Sequence, residues 1–300
     1  MTEQEIMSRM ENSVSEAFLD GQTSRRFWIN GCQQTQSLTQ MDMSAPVLMF
    51  PIIGRKTITV DRHVYDTEPG EILVLPKGLR FDLENIPVPG RTRFLGVSLV
   101  FDQQTIDLFS KVYADGMKDW HLTPKWKAVG SDDMFSLIAD WLAHDRKYSS
   151  DMVQTRLRLV EILLILARQG VAGNLLISRS DTLAERITQH LLTDLSRDWS
   201  VTDLTRTLAM SESTLRRRLR SENTGFREVL EDARLNQGVE RVMSSDMPIG
   251  QIAFDCGYQS QSRFAERFRM RFSMSPTELR ATRKQQRGNL VSLDQHRPGH

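Results

Sequence analysis

The chain has 300 residues, 39% hydrophobic and 26% charged, with 39 Lys and Arg against 38 Asp and Glu. This excludes a collagen-like or wholly disordered chain and leaves length for two domains, each with its own core. The longest apolar stretch, Leu159 to Ala167, is broken by Glu161 and falls well short of the roughly 20 residues that cross a bilayer. Met1 to Asp20 carries acidic residues and no apolar h-region, so no secretory signal is expected and the expected location is the cytoplasm. Cys32 and Cys256 form no CxxC pair, which argues against a structural zinc or a disulfide framework. No cofactor is expected.

From Val47 to Phe101 the chain is rich in β-branched residues and punctuated by turn signals at Pro69-Gly70 and Pro87 to Gly90. This predicts a compact antiparallel β unit. Asp132 to Lys147 follows with Phe135, Ile138, Ala139 and Leu142 at helical spacing. Met152 to Arg168 continues as a helix that is apolar over more than one stripe; the extra surface either packs between the β unit and the preceding helix or pairs with a second subunit, and pairing is the reading expected. The Gly, Asn and Ser of residues 171–181 predict a linker. The division expected is therefore 1–170, a linker at 171–181, a second domain at 182–284, and a disordered tail at 285–300.

Leu183, Ile187, Leu191 and Leu195 predict an amphipathic helix. Ser200, with Asp203 three residues on, then opens a short helix. Ser211 caps a second one that turns Leu215 and Leu219 inward and leaves Glu212, Ser213, Arg216, Arg217 and Arg220 outside. The pattern recurs about 46 residues later: a short helix through Ile249, Ile252 and Ala253 ends at Gly257, and Ser260 caps a helix with Phe264, Phe268 and Phe272 inward and Gln261, Ser262, Arg263 and Arg267 outside. Each pair reads as a helix-turn-helix. Phe226 to Met243 is the helical rod between them, about 27 Å long at 1.5 Å per residue. Arginine clusters are commonly just solvated faces; here the repeated units give them a context.

Two resemblances follow from these residues. Gly70, Pro76, Gly78 and Asn85 stand at the spacing of the second motif of the cupin barrels. Phe81 occupies the place of that motif's metal-binding His, and the first motif's His-x-His is absent, so the resemblance implies a barrel that binds without metal. The run Ile249-x2-Ile252-Ala253-x3-Gly257-Tyr258-x-Ser260-x3-Phe264-x3-Phe268, ending in Met274-Ser275-Pro276, resembles the C-terminal signature of the AraC/XylS family of bacterial transcription regulators. Upstream, Ser211-x3-Leu215-x-Arg217-x-Leu219 fits that family's first recognition helix. Together they imply an α+β chain: a cupin-like antiparallel barrel with two following helices, then an all-α domain with two helix-turn-helix units. The sequence departs from the family pattern at Ser273, where Gly is usual, at Gly238, where Ala is typical, and at Arg218, more often apolar.

The expected function is sequence-specific transcription regulation, not catalysis. Ser213, Arg216 and Arg217 are expected on base edges in one major groove with Arg220 on phosphate, and Gln261, Ser262 and Arg263 in the next groove with Arg267 on the backbone. The helix N-termini at Ser211 and Ser260 would offer N–H groups to phosphate. The partners expected are double-stranded DNA, RNA polymerase and a second copy of the chain. The expected effector is a small fatty acid or aromatic compound in the barrel, near Phe81, with Arg80 meeting its carboxylate. A ligand-free dimerisation barrel answering a protein partner, and a catalytic cupin, are the competing readings.

Overall fold

The computed structural model describes residues 2–19, 27–88, 93–113, 116, 125–148, 151–177 and 182–283. They fall into two compact units: the first runs to Ile177 and takes up the chain again at Ala281, and the second spans Ser178–Arg280. The expected tail at 285–300 and the tip of the Pro87 to Gly90 turn lie outside the described residues.

Two antiparallel sheets form the first unit. β1 (Phe27–Cys32), β3 (Val47–Ile53), β6 (Glu71–Leu75), β8 (Phe94–Val100) and β9 (Lys127–Val129) run in the order β1-β8-β3-β6-β9. β2 (Gln36–Asp42), β4 (Arg55–Val60), β5 (His63–Thr67) and β7 (Arg80–Ile86) run in the order β2-β7-β4-β5. The β unit therefore starts twenty residues before Val47, where the expected one began. The central strand of the five-stranded sheet, β3, Val-Leu-Met-Phe-Pro-Ile-Ile, is buried on both faces, as its unbroken apolar run requires. Ile29, Leu48, Phe50, Val97 and Leu99 face a helical layer. In β7, strict alternation turns Phe81, Leu83 and Asn85 inward and leaves Arg80 exposed.

The helical layer contains α1 (Glu3–Leu19), α2 (Gln103–Tyr113), α3 (Asp132–Tyr148) and α4 (Met152–Arg168). α3 and α4 match the two helices expected from periodicity. α1 buries Ile6, Met10, Val14 and Ala17 against the same core and is tied to α3 by the Arg9–Asp140 and Glu16–Arg146 ion pairs. α4 begins in a capping box in which Asp151 accepts from the Gln154 N–H. Its other side leaves Met152, Val153 and Leu157 more than half exposed.

The expected linker at 171–181 is shorter than foreseen. Val171, Ala172 and Leu175 belong to the first unit's core, and the buried Asn174 amide donates to the carbonyls of Val74 and Lys125 at 2.7 Å. α5 (Gly173–Leu176) is thus part of that unit. Residues 178–182 separate Ile177 from the first residue of the next helix, Leu183, and of these 178–181 lie outside the described residues.

The second unit contains α6 (Leu183–Leu191), α7 (Val201–Thr207), α8 (Glu212–Ser221), α9 (Phe226–Ser244), α10 (Ile249–Asp255) and α11 (Gln261–Phe272). α6 stops one turn before Leu195, where the Trp199 indole N–H donates to the Asp194 carbonyl at 2.7 Å and closes the connecting loop. Leu195 remains buried in the core with Leu183, Ile187, Leu191 and Trp199. Among the described residues no helix is long and apolar enough to cross a membrane.

Candidate nucleic-acid interface

Local capping chemistry sets up both helix pairs. Ser200 opens α7 in a reciprocal box with Asp203, whose carboxylate accepts from the Ser200 N–H at 3.0 Å. Ser211 opens α8 by accepting from the Thr214 N–H, and Ser260 opens α11 by accepting from the Arg263 N–H, both at 3.3 Å. Each hydroxyl satisfies one first-turn N–H and leaves the others directed outward.

Packing fixes which face of each helix is free. Leu215 and Leu219 are buried, so Ser213, Arg216, Arg217 and Arg220 stand exposed, and Arg218 is exposed with them. The Glu222 carboxylate at the end of α8 accepts from the Leu183 and Ala184 N–H groups at 2.8 and 2.9 Å, pinning α8 to the positive end of α6. In α11, Phe264, Phe268 and Phe272 are fully buried and stack edge to face in series, with centroids 5.4 and 4.7 Å apart. Gln261, Ser262 and Arg263 are exposed.

The two arginine clusters differ in how they are neutralised. On α8, Arg216 pairs with Glu212 at 2.5 Å, while Arg217, Arg218 and Arg220 have no ion-pair partner among the described residues. On α11, Arg269 pairs with Glu278 and Arg271 with Asp232. Arg267, expected on the DNA backbone, turns instead to α9, where Glu231 takes its guanidinium through both carboxylate oxygens. That bidentate hydrogen bond, with the charge behind it, holds Arg267 above its usual range. Of the four arginines, Arg263 alone is left exposed and unpaired among the described residues.

Sequence reasoning missed Arg227. It stands exposed in the first turn of α9, beside a groove of about 660 Å³ that Leu215, Arg216, Arg220, Phe226 and Arg227 help to line. Three guanidinium-bearing residues thus border one groove, a relation between α8 and α9 that no local pattern announces.

The departures from the family pattern have physical accounts. Gly238 lies in the middle of α9, and a Cβ there would come within 2.7 and 2.9 Å of the Phe264 ring; the missing side chain allows close packing against α11. Ser273 ends α11 in the left-handed region at φ 61°. Gly257 has φ 80°, and a Cβ on it would meet the Leu195 carbonyl at 2.2 Å. Cys256 is buried, and burial pushes its thiol up to about 11, as befits a small core residue.

Two capped helices with solvent-facing outer sides, separated by a 19-residue helix, make two helix-turn-helix units in series. Residues 204–282 match the family described as a helix-turn-helix domain. The HTH-type transcriptional activator FapR of Escherichia coli is 35% identical over 98 residues, 33% of this chain and 38% of its own. The urease operon transcriptional activator of Escherichia coli is 28% identical over 156 residues, 51% of this chain and 53% of its own. The chain therefore spans about half or less of these curated relatives. The structure of ToxT from Vibrio cholerae with an unsaturated fatty acid bound is similar in fold, with a TM-score of 0.62 at 15% identity, covering 87% of this chain and 97% of that one. Residues 204–282 of the second unit thus match a helix-turn-helix family, and they follow a two-sheet, cupin-like unit in the chain.

Proposed function

We propose that the protein is a cytoplasmic transcription regulator, an activator working with RNA polymerase, that reads two successive major grooves through α8 and α11. The observation that carries this is the repeated device: a serine-capped helix, apolar on its buried side, with at least one exposed guanidinium on its outer side that has no ion-pair partner among the described residues, Arg217 and Arg220 on α8 and Arg263 on α11. Ser213, Arg216 and Arg217 meet base edges in one groove, and Gln261, Ser262 and Arg263 in the next. Arginine suits guanine and Gln suits adenine for bidentate contact. Arg216 would exchange Glu212 for a base. Arg220 and Arg227 meet phosphates, as do the N–H groups that follow Ser211 and Ser260.

The barrel takes up a lipophilic acid as effector, a reading supported by its apolar inner face, which includes Phe81, and by the fatty acid held by ToxT, a protein of similar fold. Arg80 is exposed on the outer side of β7, so the acid group needs another partner. A second copy of the chain covers the apolar side of α4. Metal-dependent cupin chemistry would need a ligand at position 81, where the phenyl ring of Phe81 has no lone pair to offer.

The test is selection of a binding site from random duplexes, followed by titration of Arg217→Ala and Arg263→Ala. Each variant should lose about 1–3 kcal/mol and relax the sequence preference in one half of the site. Unchanged affinity and preference in both would refute the assignment.

A further inference from the structure

One residue from each strand of the four-stranded sheet lines up across its inner face. Gln36 is opposite Asn85, Asn85 opposite Lys56, and Lys56 opposite Thr67. All four are buried, three of them completely. Lys56 Nζ donates to Asn85 Oδ1 at 2.6 Å, Asn85 Nδ2 donates to Gln36 Oε1 at 2.9 Å, and Gln36 Nε2 donates to Thr282 Oγ1 at 2.5 Å. The relay runs one way and holds the Asn85 oxygen toward the amine.

The other end of the row is incomplete. Thr67 Oγ1 is buried with no hydrogen-bond partner among the described residues. An ammonium has three N–H donors, and Asn85 Oδ1 is the one acceptor that Lys56 meets among the described residues. From β8 the Phe94 ring lies 5.2 Å from Nζ; from β1 the Cys32 thiol is the one titratable group that acts on it. Neither supplies a negative charge at neutral pH, since burial pushes the Cys32 thiol up. Burial pushes the Lys56 amine down to about 7, as expected of a buried cation without a counter-ion.

Beyond the polar row the same face turns apolar. Leu38, Leu83 and Ile58 form the next line across the sheet, followed by Met41 with Phe81 and by Val60, all buried. Successive lines lie about 6.6 Å apart along the strands. A buried amine without a counter-ion among the described residues thus stands beside a run of apolar side chains on one face.

We propose that Lys56 and Thr67 receive the carboxylate of the barrel's lipophilic effector. The proposal rests on the effector reading above and moves the charged contact from Arg80 to the interior. A carboxylate accepts at two oxygens, enough for the free ammonium N–H groups and the Thr67 hydroxyl. It also supplies the missing charge, so binding brings a proton to the amine.

The test uses the full chain with decanoate and 1-decanol as probes, by titration calorimetry at pH 6 and pH 8, with Lys56→Met and Thr67→Val as variants. Decanoate should bind the wild type about tenfold more weakly at pH 8 than at pH 6, with uptake of about one proton at pH 8. Lys56→Met should bind decanoate at least tenfold more weakly at pH 6 and lose the pH dependence. Thr67→Val should weaken binding and keep it. Decanol affinity should not change with pH in any of the three. If Lys56→Met does not fold, the wild-type proton uptake and Thr67→Val decide. Equal decanoate affinity in Lys56→Met, or no proton uptake by the wild type, overturns the head-group assignment and leaves the effector reading standing. Failure of the wild type to bind either probe overturns both.

Discussion

Gly238 and Ser273 show how one backbone position records a packing decision made elsewhere. In an exposed helix interior, Gly→Ala gains about 1 kcal/mol. Here the added methyl would press on the Phe264 ring, which is held on its other sides by Tyr258 and Phe268. Gly238→Ala should therefore lower stability, by about 1–3 kcal/mol on the scale of core overpacking, in urea unfolding followed by circular dichroism. Ser273→Gly should do the opposite and gain about 1 kcal/mol, because a side chain at φ 61° carries the left-handed penalty that glycine avoids. The sign at Gly238 is the informative one: a stabilised Gly238→Ala would mean that the α9–α11 packing is looser than described.

At the scale of the helix, an arginine's role depends on whether a carboxylate of the same chain reaches it first. Arg220 on α8 has no such partner among the described residues, whereas Arg267 on α11 is held by Glu231. Arg220→Ala should reduce the slope of log affinity against log salt by about one. Arg267→Ala should leave that slope unchanged. A double-mutant cycle between Arg267 and Glu231 should return roughly 0.5–1 kcal/mol, the range for a partly exposed pair. A lower salt slope for Arg267→Ala would restore it to the DNA backbone. This asymmetry marks the limit of what the sequence made legible. The caps at Ser200, Ser211 and Ser260 were readable because a cap and the N–H it receives lie three residues apart. The partners Arg267 and Glu231 lie 36 residues apart, and no periodicity connects them. In the sheet, alternation was written plainly in Lys56, Ile58 and Val60, all three buried. It was obscured because a lysine is normally assigned to the solvent side. The inward turn of Phe81 and the outward turn of Arg80 obey the same alternation, so both cannot line one interior. α1 was also within reach, since Ile6, Met10, Val14 and Ala17 follow helical spacing. Its ion-pair partners on α3 lie 131 and 130 residues downstream, beyond the reach of any local pattern.

At the scale of the whole molecule, the second copy of the chain is the partner most open to a direct test. In α4 the buried side, with Leu159, Ile162, Leu163 and Leu166, completes the first unit's core, while Met152, Val153 and Leu157 stand exposed and Tyr148 just before the helix stands 61% exposed. Apolar side chains exposed singly need no explanation, but several in succession along one helix mark a surface that another body covers. Charge placed there opposes association without entering the core. Val153→Glu with Leu157→Glu should leave the helical and sheet signals and the melting temperature nearly unchanged, because neither residue packs inside the unit. Sedimentation should then report a monomer where the wild type sediments as a dimer. Binding to a duplex carrying two copies of the selected site should fall at least about tenfold, the loss that follows when the second engagement is no longer intramolecular, with affinity for a single copy preserved. If the charged variant stays dimeric, the pairing surface lies elsewhere. If it is monomeric and still binds the double site as the wild type does, each chain engages its site on its own, and the apolar side of α4 serves some contact other than DNA-linked pairing.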